Sequence, residues 1–143
     1  MLIKLLPDQV NRHWEPIRYA LLVSLPPTAR VDRENNILKA LLSGEMDAWV
    51  ATRDARPVGV LVTTLTMDGA SETKNLLVYA LASLDETILP DDVWLEGIEQ
   101  LRKYAESKGC HRIIGYTESS RIAQMIQKVG GQARYTFVSV DVK

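Results

Sequence analysis

The stretch NLLVYALASLDETILPDDVWLEGIEQLRKYAESKGCHRIIGYT, residues 75–117, decides the fold. It opens with an almost wholly apolar run, 75–84, the composition of a strand covered on both faces. The period then changes. Between Asp92 and Lys108, Trp94, Ile98, Leu101 and Ala105 recur at helical spacing, Glu99 and Lys103 stand four apart, and Gly109 supplies a stop. Residues 112–117 return to strand composition. A strand, a helix and a strand in this order predict parallel neighbours joined by a right-handed crossover.

Three strands are expected upstream, with 75–84 as the last. Residues 47–53 alternate, placing Trp49 and Ala51 on one face and Ala48 and Val50 on the other. Residues 58–67 are rich in valine and threonine. The turns DARP (54–57) and DGAS (68–71) are short, which implies an antiparallel meander. Earlier still, 1–6 reads as a short strand stopped by Pro7, and Asp8 caps a helical turn that includes Val10. Glu15-Pro16 starts a firmer helix, with Trp14, Ile17, Leu21 and Leu25 near one face and Pro26-Pro27 as its end. A second helix from Asp32 carries Ile37, Leu38, Leu41 and Leu42, with Gly44 as its cap. After the crossover, Ser119 or Ser120 caps a last helix bearing Ile122, Met125, Ile126 and Val129. Gly130-Gly131 ends it, and 133–142 is expected as a closing strand. The order is β-α-α-β-β-β-α-β-α-β.

Composition sets the outer bounds. At 143 residues the chain suits one domain, 1–143, and can bury roughly 70% of the surface its unfolded form exposes. Seventeen basic residues against 18 acidic ones leave a net charge of −1. This removes the bulk electrostatic attraction that nucleic acid or an anionic membrane would exploit, so neither is expected as a partner. No run approaches the roughly 18 apolar residues of a membrane span. MLIKLLPDQV is broken by Lys4 and Pro7 and is not expected to act as a signal peptide. One cysteine, Cys110, and two histidines, His13 and His111, are too few for a thiolate or His-rich metal site, so no metal is expected. The default setting is cytoplasmic.

The element order resembles the GNAT superfamily of acyl-CoA-dependent N-acetyltransferases along almost the whole chain. Three stretches carry the likeness further: NNILKALLSGEMDAWVA (35–51), TKNLLVYAL (73–81) and GCHRIIGYTESSRIAQMIQKVGG (109–131). They look like the corresponding parts of small GNAT-like proteins encoded by tailed phages and prophages. For a phage-encoded protein the location would be the host cytoplasm or the virion. The resemblance implies a GNAT-like α/β (α+β) fold: a mixed, mostly antiparallel sheet with helices on both faces.

It also implies a site. In the family the fourth and fifth strands splay, and the pantetheine arm of acetyl-CoA lies along the backbone of the fourth. Here that backbone is Leu81, Ala82 and Ser83, with Tyr116 and Thr117 opposite. The pyrophosphate sits in a glycine-rich loop at the start of the next helix, because glycines admit close approach and helix amides offer positive potential. This chain departs from that pattern. DETILPDDVW (85–94) has no glycine and no basic residue, and it carries the carboxylates of Asp85, Glu86, Asp91 and Asp92. Pro90 removes an amide, and Asp91 or Asp92 is expected to cap the helix itself. Many relatives carry a proton-donating tyrosine four residues before the glycine ending the fourth helix. Ile126 stands there. The family usually closes with two strands, and 133–142 has room for one.

Several side chains have both a catalytic and a structural reading. Tyr79 and Tyr116 lie on the two strands expected to splay, where each is a candidate proton donor or a packed ring. Asp47, Glu72 and Glu118 are candidate general bases, or solvated turn residues as most carboxylates are. His13 reads as structural. Cys110 and His111 are adjacent on extended chain and point to opposite faces, which defeats a nucleophile pair. Trp49 and Trp94 fit core stripes. Gly97 inside a helix is explained by close contact with the sheet.

Two functional readings follow. One is an N-acyltransferase of unknown acceptor, using acetyl-CoA through a degenerate pyrophosphate loop. The other is a non-catalytic interaction or virion-associated protein that keeps the scaffold. A sheet edge left bare by the missing last strand implies a homodimer or a docked protein partner.

Overall fold

The computed structural model describes residues 1–25, 32–84, 89–117, 119–134 and 138–142. The expected Pro26-Pro27 helix stop, Asp85 and Glu86 of the loop, and Glu118 fall outside them.

The chain runs β1 (Leu2–Lys4), α1 (Pro7–Arg12), α2 (Trp14–Ser24), α3 (Arg33–Ser43), β2 (Met46–Arg53), β3 (Arg56–Asp68), β4 (Thr73–Ser83), α4 (Asp91–Ser107), β5 (Arg112–Gly115) and α5 (Ser120–Lys128). The five strands form one sheet in chain order. β1 to β4 pair antiparallel, and β5 lies parallel to β4, as a strand–helix–strand crossover requires. The sheet is mixed and has helices on both faces, as the sequence reading expects. Among the described residues, no helix is long and apolar enough to cross a membrane.

Alternation along the strands separates two cores. Ala48, Val50, Val60, Val62, Ala80 and Ala82 face the helical layer, where Val10, Ile17, Ala20, Leu21, Ile37 and Leu41 cover them. Trp49, Leu61 and Leu76 face the other way and pack under Leu101 and Ala105 of α4. The expected split of Trp49 from Ala48 and Val50 therefore holds. Ile17 and Val62 are fully buried, and each such side chain contributes roughly 1.5–3 kcal/mol. Ion pairing also joins the elements, with Arg18 Nε of α2 2.9 Å from Glu34 Oε2 of α3.

The local signals were mostly correct. Gly44 ends α3 at φ 85°, where only glycine is unstrained. Ser119 caps α5 by accepting from the Ile122 N–H. Asp54 and Ala55 both take positive φ in the two-residue turn between β2 and β3. The helical turn at Asp8 is a six-residue helix, with the Leu6 N–H held by Gln9 Oε1 at 2.8 Å.

Four expectations are corrected. Leu42 is 41% exposed and lies outside the buried stripe of α3. A Cβ on Gly97 would meet nothing within 4 Å, so close contact with the sheet does not explain that glycine. Glu99 approaches Arg102, 4.0 Å away, rather than Lys103. The closing strand over 133–142 is not formed among the described residues: 133–134 and 138–142 carry no strand pairing, and Val138, Val140 and Val142 are 82%, 90% and 97% exposed.

Candidate functional site

The β4–β5 ladder is short. It runs from Asn75 opposite Arg112 to Val78 opposite Gly115 and stops. β4 continues for five more residues, paired with β3 alone. The ladder ends at a bulge: Val62 pairs with Ala80 and Thr63 with Val78, which leaves Tyr79 without a partner. The extra residue shifts the alternation. Val78 faces α4, whereas Tyr79 and Ala80 both pack toward the helical layer. Leu81 and Ala82 then resume alternation, pairing with Leu61 and Val60. Past Val78, no strand among the described residues pairs with the outer edge of β4. On that side the alternate backbone amides and carbonyls of Tyr79–Ser83 have no strand partner among the described residues, and this unpaired edge is the candidate cleft.

The cleft brings some expected residues together and not others. Leu81, Ala82 and Ser83 form its β4 wall. Tyr79 sits at its apex as a half-buried ring packed into the core. Tyr116 follows the end of β5 and is 70% exposed. Asp47 is not part of the cleft. It lies under the C-terminal half of α4. Glu72 is an exposed turn residue at φ 55°. His111 Nδ1 accepts from the Lys74 N–H at 3.1 Å, and Cys110 packs beside the α4 core.

The start of α4 flanks the cleft. Pro90 is its N-cap, and no side chain among the described residues caps it, against the expectation for Asp91 or Asp92. The Val93 and Trp94 N–H groups donate to Pro90 O at 3.1 and 3.2 Å. The two carboxylates turn outward to arginines instead. Arg121 Nη2 of α5 donates to Asp91 Oδ1 at 2.9 Å and to Leu89 O at 2.6 Å. Arg53 Nη2 lies 3.8 Å from Asp92 Oδ2. The loop itself has no cation, and the fold supplies two from distant positions. Charge counted along the loop could not reveal them. In the first turns of α4, Trp94 Nε1 is buried and has no acceptor among the described residues.

A second polar group lies toward the opposite end of β4. The Tyr104 hydroxyl donates to Asp47 Oδ2 at 2.7 Å, and Lys4 Nζ is 3.8 Å from Asp47 Oδ1. The Tyr104 ring stands edge-on to Trp49, centroids 4.9 Å apart, and Trp49 Nε1 donates to Thr63 Oγ1 at 2.9 Å. Burial, then the bond to Asp47 and its charge, push the Tyr104 hydroxyl above the ordinary tyrosine range. A neighbouring depression of about 250 Å³ is lined by Leu5, Leu65 and Lys108 among others. Among the described residues no group of three or more His, Cys, Asp or Glu is placed to hold a metal ion.

Known structures share this arrangement of a short parallel pair beside a crossover helix. A predicted acetyltransferase from Clostridium acetobutylicum with acetyl-CoA superposes with a TM-score of 0.71 at 11% identity, over 99% of this chain and 96% of that one. An aminoglycoside acetyltransferase from an uncultured soil metagenomic sample, in complex with sisomicin, gives 0.68 at 15% identity, over 100% and 95%. The ribosomal-protein-alanine N-acetyltransferase of Brucella melitensis biovar Abortus 2308 gives 0.67 at 10% identity, over 100% and 99%. At these identities the likeness is one of fold. No protein-family model matches the chain. In sequence it is 28% identical over 101 residues to C2 domain-containing protein 5 of Mus musculus, a match covering 66% of this chain and 10% of that protein. The chain thus matches about a tenth of that curated relative's length.

Proposed function

We propose that the chain is a GNAT-like N-acyltransferase that takes acetyl-CoA in the cleft beside β4. The observation that carries this reading is the end of the β4–β5 ladder at Val78 and Gly115, one residue before the bulge at Tyr79. An extended amide-bearing arm can satisfy an open strand edge as an added strand would. The backbone of Leu81, Ala82 and Ser83 is the wall it would follow. Trp94 Nε1, buried with no acceptor among the described residues, is a further donor at the start of α4. The uncapped start of α4 and the Arg121 guanidinium suit phosphates, while Asp91 and Asp92 oppose them.

Acetyl-CoA supplies an acyl group activated as a thioester. The chain's part is to hold the arm extended, exclude water with the α4 and α5 flanks, and present the thioester at the apex near Tyr79 and Tyr116. Tyr116, exposed at the mouth, is the better placed of the two to exchange a proton with solvent. Ile126, at the position where relatives carry a tyrosine, packs against Gly131 and offers no proton. That observation favours the second reading, a non-catalytic protein of phage or prophage type that keeps the scaffold for interaction.

The test measures the thermal midpoint across an acetyl-CoA titration, and thiol release with two amine probes, sisomicin and a peptide with a free N-terminal alanine. A ligand at 100 times its dissociation constant stabilises by about 2.7 kcal/mol. A raised midpoint with amine-dependent thiol release supports acyl transfer. A raised midpoint without turnover supports a binding protein. An unmoved midpoint at millimolar acetyl-CoA contradicts both uses of the cofactor and leaves the scaffold reading.

A further inference from the structure

The depression of about 250 Å³ beside Tyr104 lies at the other end of α4 from the acyl-CoA cleft. That helix has 17 residues, so about 25 Å of it separates Asp91 at one end from Lys108 at the other. The walls of the depression are held by bonds of their own. The Leu5 N–H donates to Ala48 O at 2.9 Å, and the Leu6 N–H to Gln9 Oε1 at 2.8 Å. Thr64 Oγ1 donates to Glu45 O at 3.3 Å, and Lys74 Nζ to Lys108 O at 2.9 Å. Small-molecule sites are pre-formed in this way, and those for drug-sized ligands begin at roughly 300 Å³, so an occupant here is smaller than that.

Lys4, Glu45, Asp47 and Lys108 all line the depression. Two of these charges are matched to each other. Asp47 accepts from the Tyr104 hydroxyl on Oδ2, and Lys4 Nζ stands by its Oδ1. Glu45 and Lys108 remain. Both are exposed, and neither forms a salt bridge among the described residues. Lys108 Nζ sits over the Tyr104 ring, 5.6 Å from its centre, and Lys4 Nζ converges on the same ring at 5.2 Å. Two ammonium groups drawn to one ring repel each other, and an anion beside Lys108 relieves that repulsion. Leu6 and Leu65, which also line the depression, leave much of their side chains exposed. A carboxylate and an ammonium without ion-pair partners thus share one small depression with an apolar wall.

We propose that this depression binds a small zwitterion with an apolar side chain, a free amino acid of the leucine type. Its ammonium pairs with Glu45, its carboxylate pairs with Lys108, and its side chain covers Leu6 and Leu65. Asp47, Lys4 and Tyr104 form a wall whose charges are already matched. A plain anion would meet Lys108 but face the Glu45 carboxylate unpaired, and a plain amine would meet the reverse, so the site selects for both charges together. The assignment stands apart from the acyl-CoA reading, because the two sites share no residue.

The test is heteronuclear NMR of the full chain titrated with L-leucine, with isocaproate, which lacks the ammonium, and with isoamylamine, which lacks the carboxylate. Leucine is expected to shift the amides of Leu5, Leu6 and Leu65 and to leave those of Tyr79–Ser83 unmoved. Isocaproate and isoamylamine should each bind about tenfold more weakly, the scale of one charge-assisted hydrogen bond. Glu45→Gln and Lys108→Met should each weaken leucine by about the same factor. Both side chains are exposed, so both variants should keep the wild-type thermal midpoint. Glu45→Gln should also bind isocaproate more tightly than the wild type does, an effect that general damage to the fold would not produce. No shift at about 20 mM leucine overturns the proposal. So does binding of isocaproate or isoamylamine as tight as that of leucine, or leucine affinity that both variants leave intact.

Discussion

Val78 and Gly115 form the last rung between β4 and β5, and Tyr79, the next residue of β4, is the one the β3 register leaves unpaired. The strand edge opens where the bulge falls. A bulge raises local twist and bends its strand, which carries β4 away from the short β5 and leaves five residues of backbone facing the gap.

Arg121 links the two helices that flank this gap. Arg121→Ala frees the Asp91 carboxylate and removes a guanidinium from the start of α4. Both changes act against a pyrophosphate. Acetyl-CoA affinity should fall about tenfold, the value of one charge-assisted hydrogen bond. Acetyl-pantetheine, which lacks the pyrophosphate, should bind the variant and the wild type alike. Calorimetry with both ligands checks this, and the gap between them should narrow as salt rises.

Gly97 lies in the middle of α4 with open space where a Cβ would stand. Gly97→Ala should stabilise the fold by about 1 kcal/mol through helix propensity. A midpoint rise of about 3 °C in a thermal melt is the expected reading. A loss would mean that the glycine serves a contact absent from this structure.

Gly131 presents the opposite case. A Cβ there meets both the side chain and the backbone carbonyl of Ile126. Gly131→Ala should cost roughly 2 kcal/mol, because one of those groups must shift. Urea unfolding of the two proteins gives the difference directly.

The Tyr104 hydroxyl is raised above its ordinary value, by burial first and by Asp47 second. The sign follows from linkage. In the unfolded chain the phenol loses its proton near pH 10, while in the folded protein it keeps it. The stabilisation is therefore complete below pH 10 and declines as pH rises above it. Tyr104→Phe should be less stable than the wild type at pH 8 by about 1 kcal/mol, the lost hydrogen bond. Its stability should also fall less steeply between pH 10 and 11. Parallel urea titrations at those pH values read both effects.

What the sequence makes legible is periodicity. The change of period at Asp92 locates the crossover, and the alternation of Ala48, Trp49 and Val50 assigns each to its core. The bulge at Tyr79 has no such signal, because its neighbours are apolar on both sides and no glycine marks it. Arg121 and Asp91 stand 30 positions apart, and Tyr104 and Asp47 stand 57 apart. Pairs at such separations arise from packing, which residue spacing does not encode. The valines of 138–142 show the converse: their alternation reads as a strand, but a strand needs an edge, and the edge lies outside the segment's own sequence.

Hydrogen exchange at the β4 edge, with and without acetyl-CoA, tests the cleft most directly. On saturation with acetyl-CoA, amides within Tyr79–Ser83 that face the gap should exchange at least tenfold more slowly, as bound strand amides do, while those of β2 and β3 should not change. Binding that leaves 79–83 unaltered, or no binding at millimolar acetyl-CoA, would contradict the assignment of this edge as the acyl-CoA site.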